Sequence, residues 1–391
     1  MDFYSRALAL KSETISHRRY IHQQAETGLN TPVTKAYIRQ QLQQLGIDVQ
    51  DCGCGLVATV GSGRPVILLR ADMDALPMTE QSGLEFASTN GSAHTCGHDF
   101  HAAMLLTAAK MLKEQEEHLC GTVKFMFQPG EEILQGCADM IDHGILQNPA
   151  VDAALAFHVG AGRMPVGGFM FNAGGVMMNS ADNFAITVNG RGGHGGYPHL
   201  AVDPINAAVQ IYTALQSMLC REIDAQHSCN LTIGRFAAGS SGNIIPDSAV
   251  MEGSVRTNHS QTRTRVTQRI EEIVRDVSRT FGCTAEIQWT SRTPCLVCDE
   301  NFTLQMTEFI GQLAVPHLTA TADMSAAASE DFACIAQQVP AAMIYLAAGF
   351  DDQRGNFTAH NPQVCFNEDV CPFGAAAYAH CAFEWLKAHQ K

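Results

Sequence analysis

The stretch VKFMFQPGEE, residues 123–132, joins a short apolar run to two adjacent carboxylates. Two further apolar runs also end in polar residues. The run 66–69 leads into the acidic stretch 70–74 (RADMD), and the run 153–157 leads into His158. Short apolar runs of this kind, separated by helical patterns, are typical of buried strands in a parallel sheet. In such α/β sheets, ligands bind outside the carboxyl ends of the strands. The three strand ends therefore predict a ligand-binding or catalytic site at one edge of the sheet.

A fourth polar segment, HTCGHDFH at residues 94–101, precedes a predicted helix over residues 102–112. Cys96 and His98 lie two residues apart in a turn that contains a glycine, so both side chains can point at one ion. Thiolate and imidazole suit zinc and neighbouring transition metals, whereas carboxylate also accepts manganese. The adjacent acids at residues 131–132 suit metal-dependent hydrolysis, because one carboxylate can bind metal while the other moves a proton.

The rest of the chain predicts two domains, because 391 residues exceed the roughly 250–300 residues that one hydrophobic core supports. Strands alternate with helices in the first 180 residues, which predicts an α/β domain with a largely parallel sheet. The middle of the chain predicts the order βαββαβ, which is the ferredoxin-like pattern. We therefore expect a catalytic domain formed by residues 1–180 and 292–391, and an inserted domain formed by residues 181–291.

Composition narrows the classes of partner. The formal net charge is -14, which argues against nucleic acid, since phosphate backbones need a basic surface. The first 20 residues carry several charges and do not resemble a signal peptide. No apolar run reaches the roughly 18 residues that span a membrane. We expect a cytoplasmic protein that acts on a small molecule.

Several motifs together carry a family resemblance that covers essentially the whole chain. The motifs, in chain order, are RADMDALP at 70–77, CGHDFH at 96–101, FQPGEE at 127–132, GRGGHGG at 190–196 followed by YPH, NIIPD at 243–247, SEDF at 329–332 and HNP at 360–362. With these motifs the chain resembles the amidohydrolase branch of the co-catalytic, two-metal metallopeptidases, which includes hippurate hydrolases, N-acyl amino acid amidohydrolases and auxin–amino acid conjugate hydrolases. The resemblance implies an exopeptidase-like catalytic domain with an inserted ferredoxin-like domain that serves as a lid and for dimerisation.

The resemblance also implies roles for residues of the catalytic domain. Glu131 corresponds to the general base, Asp74 to the acid that orients a metal-ligand histidine, and Asp72 replaces a histidine ligand of related peptidases. The expected cofactor is two divalent ions, with zinc the first candidate because of the thiolate, and manganese, nickel and cobalt left open. The implied ligands are Cys96, which would bridge the two ions, His98, Glu132, His158 and His360.

Two further residues near the CGH turn have competing interpretations. His101 lies one helical turn after His98 and could approach the metal, but packing or support of a ligand is the expectation. Asp99 is a candidate partner for a metal-bound imidazole, since such imidazoles usually donate to a carboxylate.

In the inserted domain, the resemblance implies that His194 stabilises the oxyanion in the active site of a neighbouring subunit, so a homodimer or higher oligomer is expected. Asn243 and Arg256 would hold the substrate carboxylate, for which the planar fork of arginine is suited. The competing interpretations are a flexible loop with an exposed histidine and an ordinary surface arginine.

The predicted function is metal-dependent hydrolysis of the amide bond of N-acyl amino acids, which releases a carboxylic acid and a free amino acid. One alternative is a metallo-dipeptidase or aminopeptidase, since the same metals and base hydrolyse peptides. A second alternative is a catalytically silent metal- or ligand-binding protein.

Overall fold

The structure is a computed structural model in which residues 1–390 are described. The chain divides into two compact units. The first contains residues Met1–Met177, Val297–Ser325 and the chain from Asp331 onward, and the second contains Met178–Leu296 and Ala326–Glu330. The second unit thus begins three residues before the expected boundary, extends five residues past its expected end, and includes the short segment at 326–330.

The helices and strands of residues 1–390 alternate as the sequence suggests. The helices are α1 Phe3–Ala9, α2 Lys11–Gln23, α3 Pro32–Gln44, α4 His98–Lys113, α5 Gly136–Asp142, α6 Pro204–Glu222, α7 Ser260–Thr280, α8 Glu300–Gly311, α9 Ala333–Ala336 and α10 Cys371–Ala388. The strands are β1 Val49–Cys52, β2 Gly55–Gly61, β3 Val66–Asp72, β4 Thr122–Gln128, β5 Ala153–Gly160, β6 Gly168–Met170, β7 Val176–Met178, β8 Ala181–Asn189, β9 Gly193–His194, β10 Cys229–Ala238, β11 Ile244–Ile245, β12 Ser248–Thr257, β13 Thr284–Thr293, β14 Leu296–Val297, β15 Thr319–Thr321 and β16 Ala341–Ala347.

The first unit is built on a sheet whose strand order, among the described residues, is β1-β2-β4-β3-β5-β16-β6-β15. Strand β3 runs parallel to β4 and β5, and β5 runs parallel to β16, so the centre of the sheet is parallel. Every residue of β3, β4 and β5 is buried, as expected for strands covered on both faces. Helices α4 and α10 are buried along most of their length and pack against each other and against β3. The predicted α/β fold with a mostly parallel central sheet is confirmed.

The second unit has its own core and its own sheet. The sheet order is β10-β12-β8-β13, and all three pairings are antiparallel. The buried faces of α6 and α7 pack with the apolar residues of these strands in one cluster. The order of these elements along the chain is βαββαβ, and a separate short pairing joins β9 to β11.

Over residues 1–390, no helix combines the length and the apolar composition that crossing a membrane requires.

Candidate metal centre

Four elements of the first unit deliver polar side chains to the carboxyl edge of the parallel sheet. Strand β3 ends at Asp72, β4 ends just before the pair Glu131 and Glu132, and His158 lies near the end of β5. Helix α4 begins at His98, directly after the CGH turn. Because neighbouring parallel strands end at the same edge, these side chains come together although they are far apart in the chain.

The structure brings all five expected ligands into two overlapping groups. The ligand atoms of Cys96, His98 and His158 lie within 4.8 Å of one another, and so do those of Cys96, Glu132 and His360. Cys96 Sγ is 3.5 Å from His158 Nε2, and His360 Nε2 is 3.4 Å from Glu132 Oε2. Because Cys96 belongs to both groups, its thiol occupies the position that a ligand shared by two ions would need.

His360 reaches this site from a loop that follows β16. Its backbone has φ of +66°, in the left-handed region that few residues other than glycine adopt. Its amide donates to the carbonyl of Thr95 at 2.9 Å, which joins the loop to the residue before Cys96. A strained backbone at a cluster of ligand atoms is a feature that proteins commonly keep at functional sites.

The hydrogen bonds of the ligand residues fit a pair of divalent ions. His98 Nδ1 contacts the carbonyl of Asp74 at 2.9 Å and His158 Nδ1 contacts the carbonyl of Val159 at 2.8 Å, so both rings turn Nε2 towards the cluster. Within residues 1–390, His98 Nε2 and Glu132 Oε1 are buried without a hydrogen-bond partner. Buried polar atoms are rarely left unpaired in folded proteins, so these two atoms are suited to coordinate an ion.

Asp74 positions the two adjacent glutamates through their backbone. One oxygen of its carboxylate accepts the amide of Glu131 at 3.1 Å and the other accepts the amide of Glu132 at 3.2 Å. Its contact with His98 is mainly through its own carbonyl, since the nearer carboxylate oxygen is 3.5 Å from His98 Nδ1. Asp74 therefore holds the turn that contains Glu131 and Glu132 (the glutamate turn), and its carbonyl contacts His98. The expected role was only to orient one imidazole.

Glu131 lies beside the cluster and is buried, with Oε2 3.8 Å from His98 Nε2. Its neighbour Glu132 is closer to His360, as described above. Both acids share a group of ligand atoms with His98, and Glu132 also belongs to the group formed with Cys96 and His360. The link to Cys96 and His360 distinguishes Glu132 from Glu131, and it suits one acid to bind metal while the other moves a proton.

Burial and charge shift the ionisation of the ligand residues. Burial raises the pKa of the Cys96 thiol to about 12, so an incoming cation must displace the thiol proton, which is released when the thiolate binds. Burial lowers the pKa of His98, but the nearby Asp72 charge outweighs it and raises this pKa well above its ordinary value. Burial lowers the pKa of His158 well below its ordinary value, so this imidazole is neutral. Burial raises the pKa of Glu132, but His360 and His98 outweigh it and lower this pKa, which favours the carboxylate.

The expectation for Asp99 is wrong, because its carboxylate does not support a ligand imidazole. Asp99 contacts Arg18 Nε at 2.7 Å and His22 Nδ1 at 2.8 Å, and both partners lie on α2. The guanidinium of Arg18 also stacks over the rings of Phe86 and Phe100. Arg18 and His22 were not predicted as partners of Asp99, although their i,i+4 spacing places them on one face of α2.

The residues of interest in the second unit lie on or near its short β9–β11 pairing and on β12. Ile244 of β11 pairs with His194 of β9, and Gly195 donates its amide to the carbonyl of Asn243 at 2.9 Å, so His194 and Asn243 are neighbours. The His194 side chain is exposed, and its Nδ1 accepts the amide of Gly196 at 3.0 Å. Arg256 Nη1 donates to Ser329 Oγ at 2.9 Å.

An α/β domain that gathers a thiol, imidazoles and carboxylates at the carboxyl edge of its sheet, with one further buried acid beside them, defines a metal-dependent hydrolase. Comparison with known proteins then gives the family. The model of peptidase family M20/M25/M40 matches residues 68–384, and the chain belongs to this family.

Individual relatives resemble the chain over nearly its whole length. It is 34% identical to an N-acetylcysteine deacetylase of Bacillus subtilis (strain 168), over 96% of this chain and 97% of the relative. It is 35% identical to the IAA-amino acid hydrolase ILR1-like 2 of Arabidopsis thaliana, over 95% of this chain and 84% of the relative. A solved structure from Bacillus subtilis, described as a dinuclear metal-binding peptidase of family M20, superposes with a TM-score of 0.78 at 30% identity, over 97% of this chain and 99% of that one.

These findings confirm the predicted family and the prediction of a metal-dependent amidohydrolase that uses two divalent ions. The identity of the metal and the oligomeric state stay predictions, and so do the roles assigned to individual site residues.

Proposed function

We propose that this chain hydrolyses the amide bond of N-acyl amino acids and releases a carboxylic acid and a free amino acid. The observation that carries the proposal is the pair of adjacent glutamates: Glu132 shares a group of ligand atoms with Cys96 and His360, and Glu131 is buried next to His98 with its backbone held by Asp74. The names of the two curated relatives, a deacetylase of N-acetylcysteine and a hydrolase of acylated amino acids, support this substrate class.

The proposed ligands divide between two ions. Cys96, His98 and His158 would hold one ion, and Cys96, Glu132 and His360 would hold the other, in line with the two groups of ligand atoms. When bound, two divalent ions polarise the carbonyl of the substrate and increase the acidity of the attacking water. The shared thiolate favours zinc, and manganese, nickel or cobalt would also suit this set of donors.

Glu131 moves the proton in this proposal. Its carboxylate takes a proton from the attacking water while the water oxygen bonds to the amide carbon. The same carboxyl group then gives that proton to the amide nitrogen, so the C–N bond breaks with a neutral amine as the leaving group. Burial of Glu131, which is 6% exposed, limits competing exchange of this proton with bulk water.

Paired variants of the two glutamates test these roles. We expect Glu131→Gln to keep two equivalents of metal and to lose turnover by several orders of magnitude, because the amide cannot accept the proton. We expect Glu132→Gln, the matched control one residue away, to lose metal as well as activity. Metal content by elemental analysis and kcat with an N-acetyl amino acid are the measurements. Near-normal kcat in Glu131→Gln would remove the proposed base.

A substrate panel tests the reaction class. We expect hydrolysis of N-acetyl and N-aroyl amino acids to exceed that of dipeptides with a free amino group. The reverse order would establish the dipeptidase alternative. No hydrolysis of either class by the metal-loaded protein would favour a catalytically silent binding protein.

In the second unit, we propose a surface for homodimerisation. Three apolar side chains of α6, spaced four and three residues apart, form one exposed stripe: Ile205 is 37% exposed, Val209 43% and Tyr212 41%. Apolar residues at this spacing lie on one face of a helix, and a second copy of the chain would cover them. We propose that the dimer places His194 at the partner's substrate carbonyl, where it stabilises the oxyanion, and that Asn243 and Arg256 bind the substrate carboxylate.

Hybrid dimers test the shared site. We expect a mixture of inactive Glu131→Gln and inactive His194→Ala chains to recover part of the activity, because one of the two sites in each hybrid is intact. Sedimentation velocity of Tyr212→Glu should show a shift from dimer to monomer. Activity that is not recovered after verified subunit exchange would contradict catalysis by His194 across the dimer.

A further inference from the structure

Strands β3 and β5 separate at the metal centre. Their pairing ends at Arg70 and Ala156, whereas β3 stays paired with β4 to Asp72, and β5 stays paired with β16 to Gly160. The separation leaves backbone groups at the end of β5 that β3 no longer pairs. Buried amides of this kind need another acceptor.

Two side chains from helices supply the hydrogen bonds that β3 no longer makes to β5. Tyr378 on α10 donates its hydroxyl to the carbonyl of Arg70 at 2.7 Å and accepts the amide of Phe157 at 3.2 Å. His101 on α4 accepts the next amide on the same side of β5, that of Val159, with its Nε2 at 2.8 Å. The hydroxyl and the imidazole therefore continue the ladder where the two strands diverge.

The hydrogen bonds of His101 fix its tautomer. Its Nε2 accepts an amide, so this nitrogen carries no proton, and the proton of the neutral ring lies on Nδ1. Nδ1 donates to Asp72 Oδ1 at 2.5 Å, and Asp72 Oδ2 accepts Arg70 Nη1 at 2.8 Å. His101 is fully buried, and both ring nitrogens are used, so it cannot be a metal ligand in this arrangement.

Val159, whose amide His101 accepts, is also the residue whose carbonyl orients His158. The carbonyl of Val159 accepts His158 Nδ1–H at 2.8 Å, which leaves His158 Nε2 facing Cys96 Sγ at 3.5 Å. We propose that His101 is a positioning residue for the metal centre, which acts by anchoring Val159 and thereby aiming His158. Partners that orient a metal-bound imidazole typically account for tenfold to hundredfold in metal affinity.

Two substitutions of His101 separate this role from simple packing. In His101→Asn the short amide can still donate to Asp72 but cannot reach Val159, whereas in His101→Gln the longer side chain can place its carbonyl oxygen near the former Nε2. Metal-free protein would be titrated with Co²⁺ alone, and binding followed by the visible absorption of the thiolate site. We expect Co²⁺ affinity about tenfold to hundredfold lower in His101→Asn, and largely retained in His101→Gln.

His17→Asn is the matched control, because His17 is also a buried histidine with a hydrogen bond, to Tyr37 Oη at 2.8 Å, and belongs to no ligand group. We expect it to bind Co²⁺ as the unmodified chain does. Wild-type affinity in His101→Asn, or equal losses in the Asn and Gln variants, would overturn the proposal.

A measurement on the unmodified chain does not depend on any variant folding. Histidine-selective ¹⁵N spectra should show His101 as the Nδ1–H tautomer, and the Nε2–H tautomer would overturn the proposal. The inference rests on the proposed function only in taking His158 as a ligand. An unmodified chain that binds no Co²⁺ would overturn the metal centre itself, whereas normal binding with an unaffected His101→Asn would overturn the positioning role alone.

Discussion

Asp74→Asn is a sharp test of how the two glutamates are positioned. In the structure the carboxylate is 1% exposed and its two oxygens accept two consecutive amides, those of Glu131 and Glu132. Asparagine has nearly the same shape, but one of its two terminal atoms is an NH₂ group. Whichever way the amide turns, one of the two glutamate amides then faces a donor instead of an acceptor.

The size of the effect follows from these contacts. The substitution removes one hydrogen bond to a charged acceptor, worth roughly 1.5–3 kcal/mol, and weakens the other by removing the charge. It also leaves a buried amide without an acceptor, which costs about 1–3 kcal/mol. Because relaxation of the turn relieves part of this cost, we expect a loss of roughly 2–4 kcal/mol in the free energy of unfolding. A turn that relaxes displaces Glu131 and Glu132, so we also expect kcat to fall at least tenfold.

Urea unfolding of the metal-free chain and kcat of the metal-loaded chain are the measurements. Asp203→Asn is the matched control, since Asp203 accepts the amides of Ile205 and Asn206 at the start of α6 through one oxygen, at a position where asparagine caps equally well. It should leave both quantities nearly unchanged. An Asp74→Asn chain with normal stability and normal kcat would refute the role of its carboxylate in holding the glutamate turn.

Three further predictions follow from other features. Gly97→Ala should lower the free energy of unfolding by several kcal/mol and kcat by more than tenfold, because the new Cβ would lie 2.4 Å from Val159 Cγ2 and would add overpacking to backbone strain. Gly91→Ala, with a similar φ of +87° but open space, should show the backbone strain alone, about 1–2 kcal/mol, in the same urea unfolding assay. Burial lowers the pKa of His17, and Glu13 offsets this only partly, so below about pH 6.5 this residue binds more protons in the unfolded chain than in the folded one. Its contribution to stability therefore falls as pH falls, and His17→Asn should remove that contribution from unfolding free energies measured between pH 7.5 and 5; an unchanged pH dependence would contradict it. Removal of metal by a chelator should lower the midpoint of thermal unfolding, since metal at a hundredfold excess over its dissociation constant stabilises the folded chain by about 2.7 kcal/mol. A midpoint that does not move would contradict the binding of two metal ions at Cys96.

The parts of the fold that could be predicted are those in which one segment carries its own signal. The strands that end at Asp72, Gln128 and Gly160 are short apolar runs buried on both faces, and such runs can be recognised without knowing their neighbours. The strand order could not be predicted, because β16 joins β5 from almost 200 residues further along the chain. Helix α10 was also missed, since it is apolar all round and lacks the polar face by which helices are usually recognised.

The apolar pattern of residues 4–24 predicts one helix, whereas the structure has two helices there. Helix α1 ends at Ala9 and α2 begins at Lys11, with Leu10 between them at ψ of 1°. The apolar periodicity continues through this break, because both helices bury residues against α4. A change of direction at one residue leaves the spacing of apolar positions almost unaltered, so periodicity alone could not reveal it.

At the site, too, some residues could be assigned from their own segment of sequence, whereas the roles of others depend on contacts that only the folded chain makes. Ligand atoms could be proposed because their chemistry is specific, and the structure brings the five together. Supporting residues carry no such chemistry of their own. Asp99 and His101 both had plausible roles at the metal, but their partners are Arg18 and His22 in one case, and Asp72 and the backbone of β5 in the other.

The CGHDFH segment therefore contains two sets of side chains with different directions and different tasks. Cys96 and His98 face the cluster of candidate ligand atoms, whereas Asp99 and His101 face the scaffold and join the start of α4 to α2 and to the separated strands. A metal centre at the point where two strands diverge needs both sets, since divergence creates the space for the ligands and also removes the hydrogen bonds that would otherwise hold the strand ends. Substitutions of His101 should accordingly change metal affinity without removing a ligand, and their effects should scale with the loss of the hydrogen bond to the backbone of Val159, not with the loss of side-chain volume.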